Sequence, residues 1–220
     1  MRIGIEVNGV LRDTIEKFKQ VYEKHLIEKN EDDFVNKTFE IDEFGNEKEK
    51  SEVTNFEYKF LSEVDSLNLM NHFSFQSKEE LFSFMFEEFP MHIFGHAPST
   101  EMTTFNLLND FYLTNRDSHD LVIISDEMGK SKPSTLFFLS KFGCLIESVI
   151  FYNQVTSDKI LSSFDLIVTS NPDIVINYSD KLTIIKFETA YNKQVKAEHT
   201  ICSLKELSET LNKIENAEII

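Results

Sequence analysis

From residue 99 onward the chain alternates two kinds of segment, and few architectures accept that alternation. Short runs rich in branched and aromatic residues stand at 120–125, 147–152, 164–169 and 181–187. Helical patterns lie around them, at 99–115, at 133–143, and in a last segment opened by Ser203 and Glu206 that carries Leu204, Leu207, Leu211 and Ile214. Runs that are apolar at successive positions suit strands buried on both faces, and helical connections between such strands make them parallel. The N-terminus supplies one more unit. Residues 2–7 read as a buried strand ending in the turn Asn8-Gly9, and a helix follows from about Asp13, with Glu16 completing a capping pattern. Ile15, Phe18, Tyr22 and Leu26 recur along that helix at helical spacing. The expected fold is α/β: a doubly wound, mostly parallel, Rossmann-like sheet covered on both faces.

Residues 30–95 break the rhythm. The stretch 28–54 is dense in acids and holds a hairpin turn at Phe44-Gly45-Asn46. Helical stretches follow near 55–70 and 77–89, the second opened by Ser77 and Glu80 and stopped at Pro90. The expected organisation is a core made of 1–29 and 96–220, with 30–95 inserted as a smaller, mainly helical cap.

Charge and composition exclude several classes of function. With 38 acidic and 22 basic side chains the formal net charge is −16, which leaves no basic footprint for sequence-independent binding to nucleic acid or an anionic membrane. A hydrophobic share of 41 % is enough for a packed core. Six Gly and four Pro among 220 residues are too few for collagen-like or turn-dense many-stranded folds. No apolar run approaches the roughly 18 residues of a membrane span, and the first residues lack the apolar segment of a signal peptide. The expectation is a soluble, cytoplasmic protein, with a place in a virion left open. The taste for Asn, Lys, Ile and Phe is associated with AT-rich genomes, bacterial or phage.

In doubly wound sheets ligands bind at the carboxyl ends of the strands. The candidate site is therefore built from 6–11, 125–132, 153–159 and 169–173. Three of these strand ends carry a resemblance. The run Ile3-Gly4-Ile5-Glu6-Val7-Asn8-Gly9-Val10-Leu11 resembles the first motif of haloacid dehalogenase-like (HAD) phosphatases, a strand followed by Asp-x-Asp and then Gly. Val122-Ile123-Ile124-Ser125 resembles the second motif, and Ser131-Lys132-Pro133 with Lys141-Phe142-Gly143 resembles the family's Lys-Pro helix and its exit. Further on, the run from Phe164 to Pro172, and Ile184-Ile185-Lys186-Phe187 before Ala190-Tyr191-Asn192, look like the 5′(3′)-deoxyribonucleotidase branch. The resemblance covers about 1–25 and 99–210, and residues 30–95 fall where the family keeps its variable cap.

The resemblance implies a chemistry. The first Asp attacks phosphorus, the second protonates the leaving group, and fourth-motif carboxylates help hold Mg²⁺. A Ser or Thr and a Lys orient the phosphoryl group. This chain has Glu6 at the nucleophile position and Asn8 at the acid/base position. The fourth motif aligns either on Asn153, Ser157 and Asp158, or on Thr169 and Ser170 with Lys159 as the third-motif lysine. The second frame also fits Pro172 and Tyr191-Asn192. Either frame removes most of the carboxylates. The expected function is a catalytically degenerate HAD-like protein with a structural, protein-interaction or phospho-ligand-binding role, needing no cofactor. The alternative is an active Mg²⁺-dependent phosphatase or 5′-nucleotidase that uses Glu6 with Asp126, Asp158 or Asp173, Glu6 and Asp173 being the candidate metal ligands.

Other residues carry weaker readings. Ser125, Lys132 and Lys159 are the candidate phosphate-binding set, because an anion needs donors and not carboxylates. His92 and His96 sit four apart, but Gly95, Pro90 and Pro98 indicate a loop and no third ligand is evident. Cys144 and Cys202 read as small buried hydrophobes. The run Leu81-Phe82-Ser83-Phe84-Met85-Phe86 is apolar nearly all round a helix, so it must be buried on most sides. Its cover is either the core or another chain, a protein partner or a second copy.

Overall fold

The computed structural model describes residues 1–35, 39–41, 47–49 and 63–218. Its strands are β1 (Arg2–Glu6), β2 (Phe39–Ile41), β3 (Glu47–Glu49), β4 (Asp120–Asp126), β5 (Val149–Tyr152), β6 (Leu166–Thr169), β7 (Thr183–Phe187) and β8 (His199–Ile201). The helices are α1 (Thr14–Val35), α2 (Lys78–Ser83), α3 (Thr104–Asn115), α4 (Ser131–Lys141), α5 (Ser157–Leu161), α6 (Pro172–Tyr178) and α7 (Leu207–Glu218). Six strands form one parallel sheet in the order β5-β4-β1-β6-β7-β8. Counting only sheet strands in chain order, this is the 3-2-1-4-5-6 winding of the Rossmann arrangement, with its switch point between β1 and β6. The α/β expectation holds. No described helix is long and apolar enough to cross a membrane.

Alternation along the strands sorts the core into two layers. Ile3, Ile5, Ile123, Val168 and Ile185 face one way and meet Phe105 and Leu108 of α3, Phe138 of α4 and Leu211 of α7. Val122, Ile124, Ile167 and Ile184 face the other way, against Leu161 of α5 and Ile174 and Val175 of α6. Fully burying a side chain such as Ile5 contributes about 2 kcal/mol. Gly4 belongs to the second face, where a Cβ would stand 3.2 Å from both Ile124 Cδ1 and Phe164 Cδ1. The same period of two carries Glu6 onto the α5/α6 face and Ser125 onto the α3/α4 face. The two strand-end residues serve different layers.

Several local expectations change. The described part of the 55–70 stretch is irregular at 63–68 and tightens into one 3-10 turn at Leu69–Asn71. Val64 and Leu69 of this stretch pack with Phe18 and Tyr22 of α1. The capping bond from Glu80 N to Ser77 Oγ forms at 3.2 Å. The helix ends at Phe89, which leaves helical geometry (φ −120°, ψ 28°) just before Pro90, as expected; what differs is the width of its turns. The chain widens into π-type turns at Phe84–Glu88 and Met91–Gly95, with Pro90 at the start of the second, where its missing N–H costs nothing. His92 therefore lies in a helical turn and not in a loop. Cys144 is half-buried and Cys202 exposed, which corrects their reading as buried hydrophobes; Cys202 sits in the cap of the last helix, its N–H donating to Glu206. The short elements α5, α6 and β8 have no counterpart in the sequence pattern. α1 runs through the expected 29/30 boundary without a break, and the β2–β3 pairing is antiparallel, as a hairpin requires. The turn at 44–46 lies outside the described residues.

Candidate functional site at the strand ends

β1 is central, so its last residue meets neighbours from both sides. Glu6 is 2 % exposed. Its Oε1 accepts the Tyr152 hydroxyl at 2.8 Å, and its Oε2 accepts a short bond from the Thr169 hydroxyl. Thr169 Oγ1 in turn accepts the Asn171 N–H at 2.9 Å. Burial pushes the Glu6 carboxyl up from its usual 4.5 to about 7, and the bonds from Thr169 and Tyr152 oppose the rise. Asp126, at the exposed end of β4, is pushed up to about 6 by desolvation and by neighbouring Glu127.

A second network fills the other face. Arg12 is wholly buried and all of its N–H groups are engaged. Nε donates to Thr14 Oγ1 at 3.2 Å, Nη1 to Phe94 O at 3.0 Å and Thr135 Oγ1 at 2.6 Å, and Nη2 to Asn8 Oδ1 at 2.7 Å. Nη2 also makes a short charge-assisted bond to Glu127 Oε1. The guanidinium lies 4.9 Å from the Phe94 ring centroid and 5.3 Å from that of Phe138. Burial lowers the Arg12 pKa, and Glu127 opposes that. Glu127, 1 % exposed, also accepts at Oε1 from Ser125 Oγ at 3.2 Å and Thr135 Oγ1 at 2.6 Å. Its Oε2 is buried and has no partner among the described residues. Asn8 is held at Oδ1 by Arg12 and by Thr14 at 2.7 Å.

The tail closes over these groups. Gly9 takes φ +75°, and a Cβ there would lie 2.0 Å from Tyr191 Oη and 2.1 Å from Ser170 Oγ. Tyr191 donates to Ser170 Oγ at 2.8 Å, Ser170 donates to Asn8 O at 2.9 Å, and buried Asn192 donates to Ser170 O and Phe187 O, each at 2.8 Å. The structure thus brings Thr169 and Ser170 to Glu6 and Asn8. Asn153, Ser157 and Asp158 make no hydrogen bond to Glu6 or Asn8: Asn153 Oδ1 accepts from the Val155 and Thr156 N–H groups in the turn before α5, and Asp158 accepts from Tyr178. Lys132 and Lys159 are both exposed; Lys132 Nζ is 5.7 Å from the Phe151 ring centroid. Asp173 is exposed in the first turn of α6. His92 and His96, both exposed, have ring centroids 6.3 Å apart.

Beside the cluster opens a cleft of about 530 Å³, lined among others by Gly9, Asp13, Lys19, Glu63, Thr189 and Tyr191. Glu6 does not reach it. The residues at the strand ends do not fit Mg²⁺, which needs several free hard oxygens. Both Glu6 oxygens receive hydroxyl hydrogens, Asn8 Oδ1 faces a guanidinium, and no cluster of three His, Cys, Asp or Glu occurs among the described residues. Arg12, Glu127, Thr135 and Tyr152 are the site residues that motif reasoning passes over. Arg12 offers one signal, being one of three arginines in a chain that otherwise uses Lys.

No family model matches the sequence, and no curated protein matches it. Among solved structures the fold is similar to that of a protein from Burkholderia xenovorans LB400 named as a haloacid dehalogenase-like hydrolase. The TM-score is 0.55 and the identity 13 %, over 95 % of this chain and 97 % of that one. A dehalogenase with an intermediate complex matches at TM-score 0.45 and 11 % identity, over 94 % and 95 % of the two chains. That second likeness is too loose to carry weight, and the first is a likeness of fold.

Proposed function

We propose that this chain is a HAD-like protein whose hydrolase site is silent, and that it serves as a structural or interaction protein built on a deoxynucleotidase-like scaffold, with 30–95 as its cap. The observation that carries this reading is the state of Glu6. A carboxylate nucleophile needs a free lone pair facing a substrate. Glu6 has both oxygens in hydrogen bonds and is 2 % exposed. Asn8, at the acid/base position, cannot ionise and faces Arg12. The donor set around them argues against Mg²⁺. An interaction role draws support from the cap: Phe82 is 43 % exposed with its ring centroid 4.5 Å from that of Phe86.

The test is turnover of p-nitrophenyl phosphate and deoxynucleoside monophosphates with Mg²⁺ supplied. The expected rate equals the buffer blank. Turnover abolished by Glu6→Ala would sink the reading in favour of an active enzyme. Turnover by a variant carrying Glu6→Asp, Asn8→Asp and Thr169→Asp would tie the loss to those positions.

A further inference from the structure

Three donors converge on one oxygen: Arg12 Nη2, Ser125 Oγ and Thr135 Oγ1 all reach Glu127 Oε1. Each is buried. A guanidinium beside two hydroxyls, walled by Phe94 and Phe138, is the donor set that carboxylate and phosphate oxygens share. The residue that supplies the oxygen comes from the same chain, just past the end of β4. We propose that Arg12, Ser125 and Thr135 form an oxyanion pocket, and that the chain fills it with its own Glu127 carboxylate and so keeps phosphate out. The proposal rests on the reading of a silent site and gives it a physical cause beyond the replaced Glu6 and Asn8.

The charges support self-occupancy. A buried guanidinium without an anion is strongly unfavourable, so the pocket cannot stand empty. Glu127 supplies that anion at no cost in translational freedom, because it is tethered two residues from Ser125. A free phosphate would have to expel a carboxylate that cannot diffuse away. The second Glu127 oxygen gains nothing from the arrangement, being buried with no partner among the described residues. The carboxylate is therefore held by what it gives Arg12, Ser125 and Thr135 through one atom.

The experiment compares the full-length wild type with Glu127→Ala in inorganic phosphate and in chloride of equal ionic strength, by thermal unfolding and calorimetry. Glu127→Ala is expected to bind phosphate saturably, and at ten times the dissociation constant its folded-to-unfolded ratio rises about tenfold. The wild type shows no saturable response. Adding Ser125→Ala to Glu127→Ala weakens phosphate binding about tenfold or more, as loss of a bond to a charged group does. A Glu127→Ala chain that is unfolded in chloride and folds in phosphate supports the proposal. One that stays unfolded in both, one that folds but shows no saturable phosphate response, or a wild type that binds as tightly as the variant overturns it. Phosphatase turnover by the wild type would end the silent-site reading and leave this binding test intact. Failed binding in the variant would end the oxyanion pocket and leave that reading standing.

Discussion

The Tyr152 hydroxyl donates to Glu6 Oε1 at 2.8 Å, linking residues 146 apart in the chain. Tyr152 lies on β5, two strands from β1, so its side chain spans the end of β4 to reach the carboxyl. Thr169 approaches the other oxygen from β6. A carboxyl group at the centre of the sheet is thereby held between hydroxyls from both sides, away from solvent. Its ionisation is a property of the fold as much as of the residue.

That coupling sets a pH dependence. Glu6 titrates at about 7 in the folded chain against 4.5 ordinarily. Between those values the native state binds more protons than the unfolded state, so stability falls as pH rises. The contribution is fully present below 4.5 and lost once pH passes about 7, a change of about 3 kcal/mol. Asp126, raised to about 6, acts in the same direction. Urea midpoints measured from pH 5 to pH 8 should fall, and Glu6→Gln should flatten the fall and exceed wild type at pH 8. Tyr152→Phe, which removes a donor to the carboxylate, should carry the fall to higher pH.

Gly9 tests the closure of the tail. A side chain there must adopt a left-handed backbone, at about 1–2 kcal/mol, and also displace Tyr191 and Ser170, whose bonds contribute about 1 kcal/mol each. Gly9→Ala should cost about 3 kcal/mol or more by denaturant unfolding. Gly143 has φ +67° with nothing within 4 Å of the place a methyl group would take, so Gly143→Ala should show the backbone cost alone, about 1–2 kcal/mol. Equal losses at the two sites would mean that contact with Tyr191 and Ser170 contributes nothing.

The buried pair should behave as a unit. Arg12→Met leaves Glu127 charged and buried, and is expected to cost about 3–5 kcal/mol. Arg12→Met combined with Glu127→Met should cost clearly less than the sum of the single changes, with a coupling above about 1 kcal/mol. Additive losses in a double-mutant cycle would show the two side chains to be independent.

The sheet was legible because its pattern is redundant. Ile3 and Ile5, Ile123, Val168 and Ile185 all sit in runs whose length and branching leave one reading, and the Ser77 and Ser203 caps announce their helices by composition. Short elements held by tertiary contacts were not legible: α5 is five residues anchored in the core by Leu161, and β8 is three residues against β7. Motif order located Glu6, Asn8, Thr169 and Ser170, since each stands at a strand end or within two residues past it. Motif order had no place for Arg12 or Glu127, which lie 115 residues apart and form a site only when β1 and β4 pair. Nor could it show that Ser125 and Glu6 serve opposite faces, because that depends on where each strand's alternation starts.

The cap offers the sharpest contrast between pattern and packing. Leu81 to Phe86 reads as apolar all round, yet the structure buries it unevenly. Phe84 is 3 % exposed, with its ring 5.8 Å from Phe18 and 4.7 Å from Phe89, while Phe82 is 43 % exposed. Phe84→Ala should therefore cost about 3–5 kcal/mol, the range for emptying a buried aromatic site. Phe82→Ala removes a half-exposed ring and should stay within about 1 kcal/mol. Denaturant midpoints of the two variants decide this, since a comparable loss at Phe82 would mean that its ring is covered in solution. Sedimentation of wild type and Phe82→Ala would then identify the cover: a wild-type dimer that becomes monomeric in the variant assigns it to a second copy of the chain.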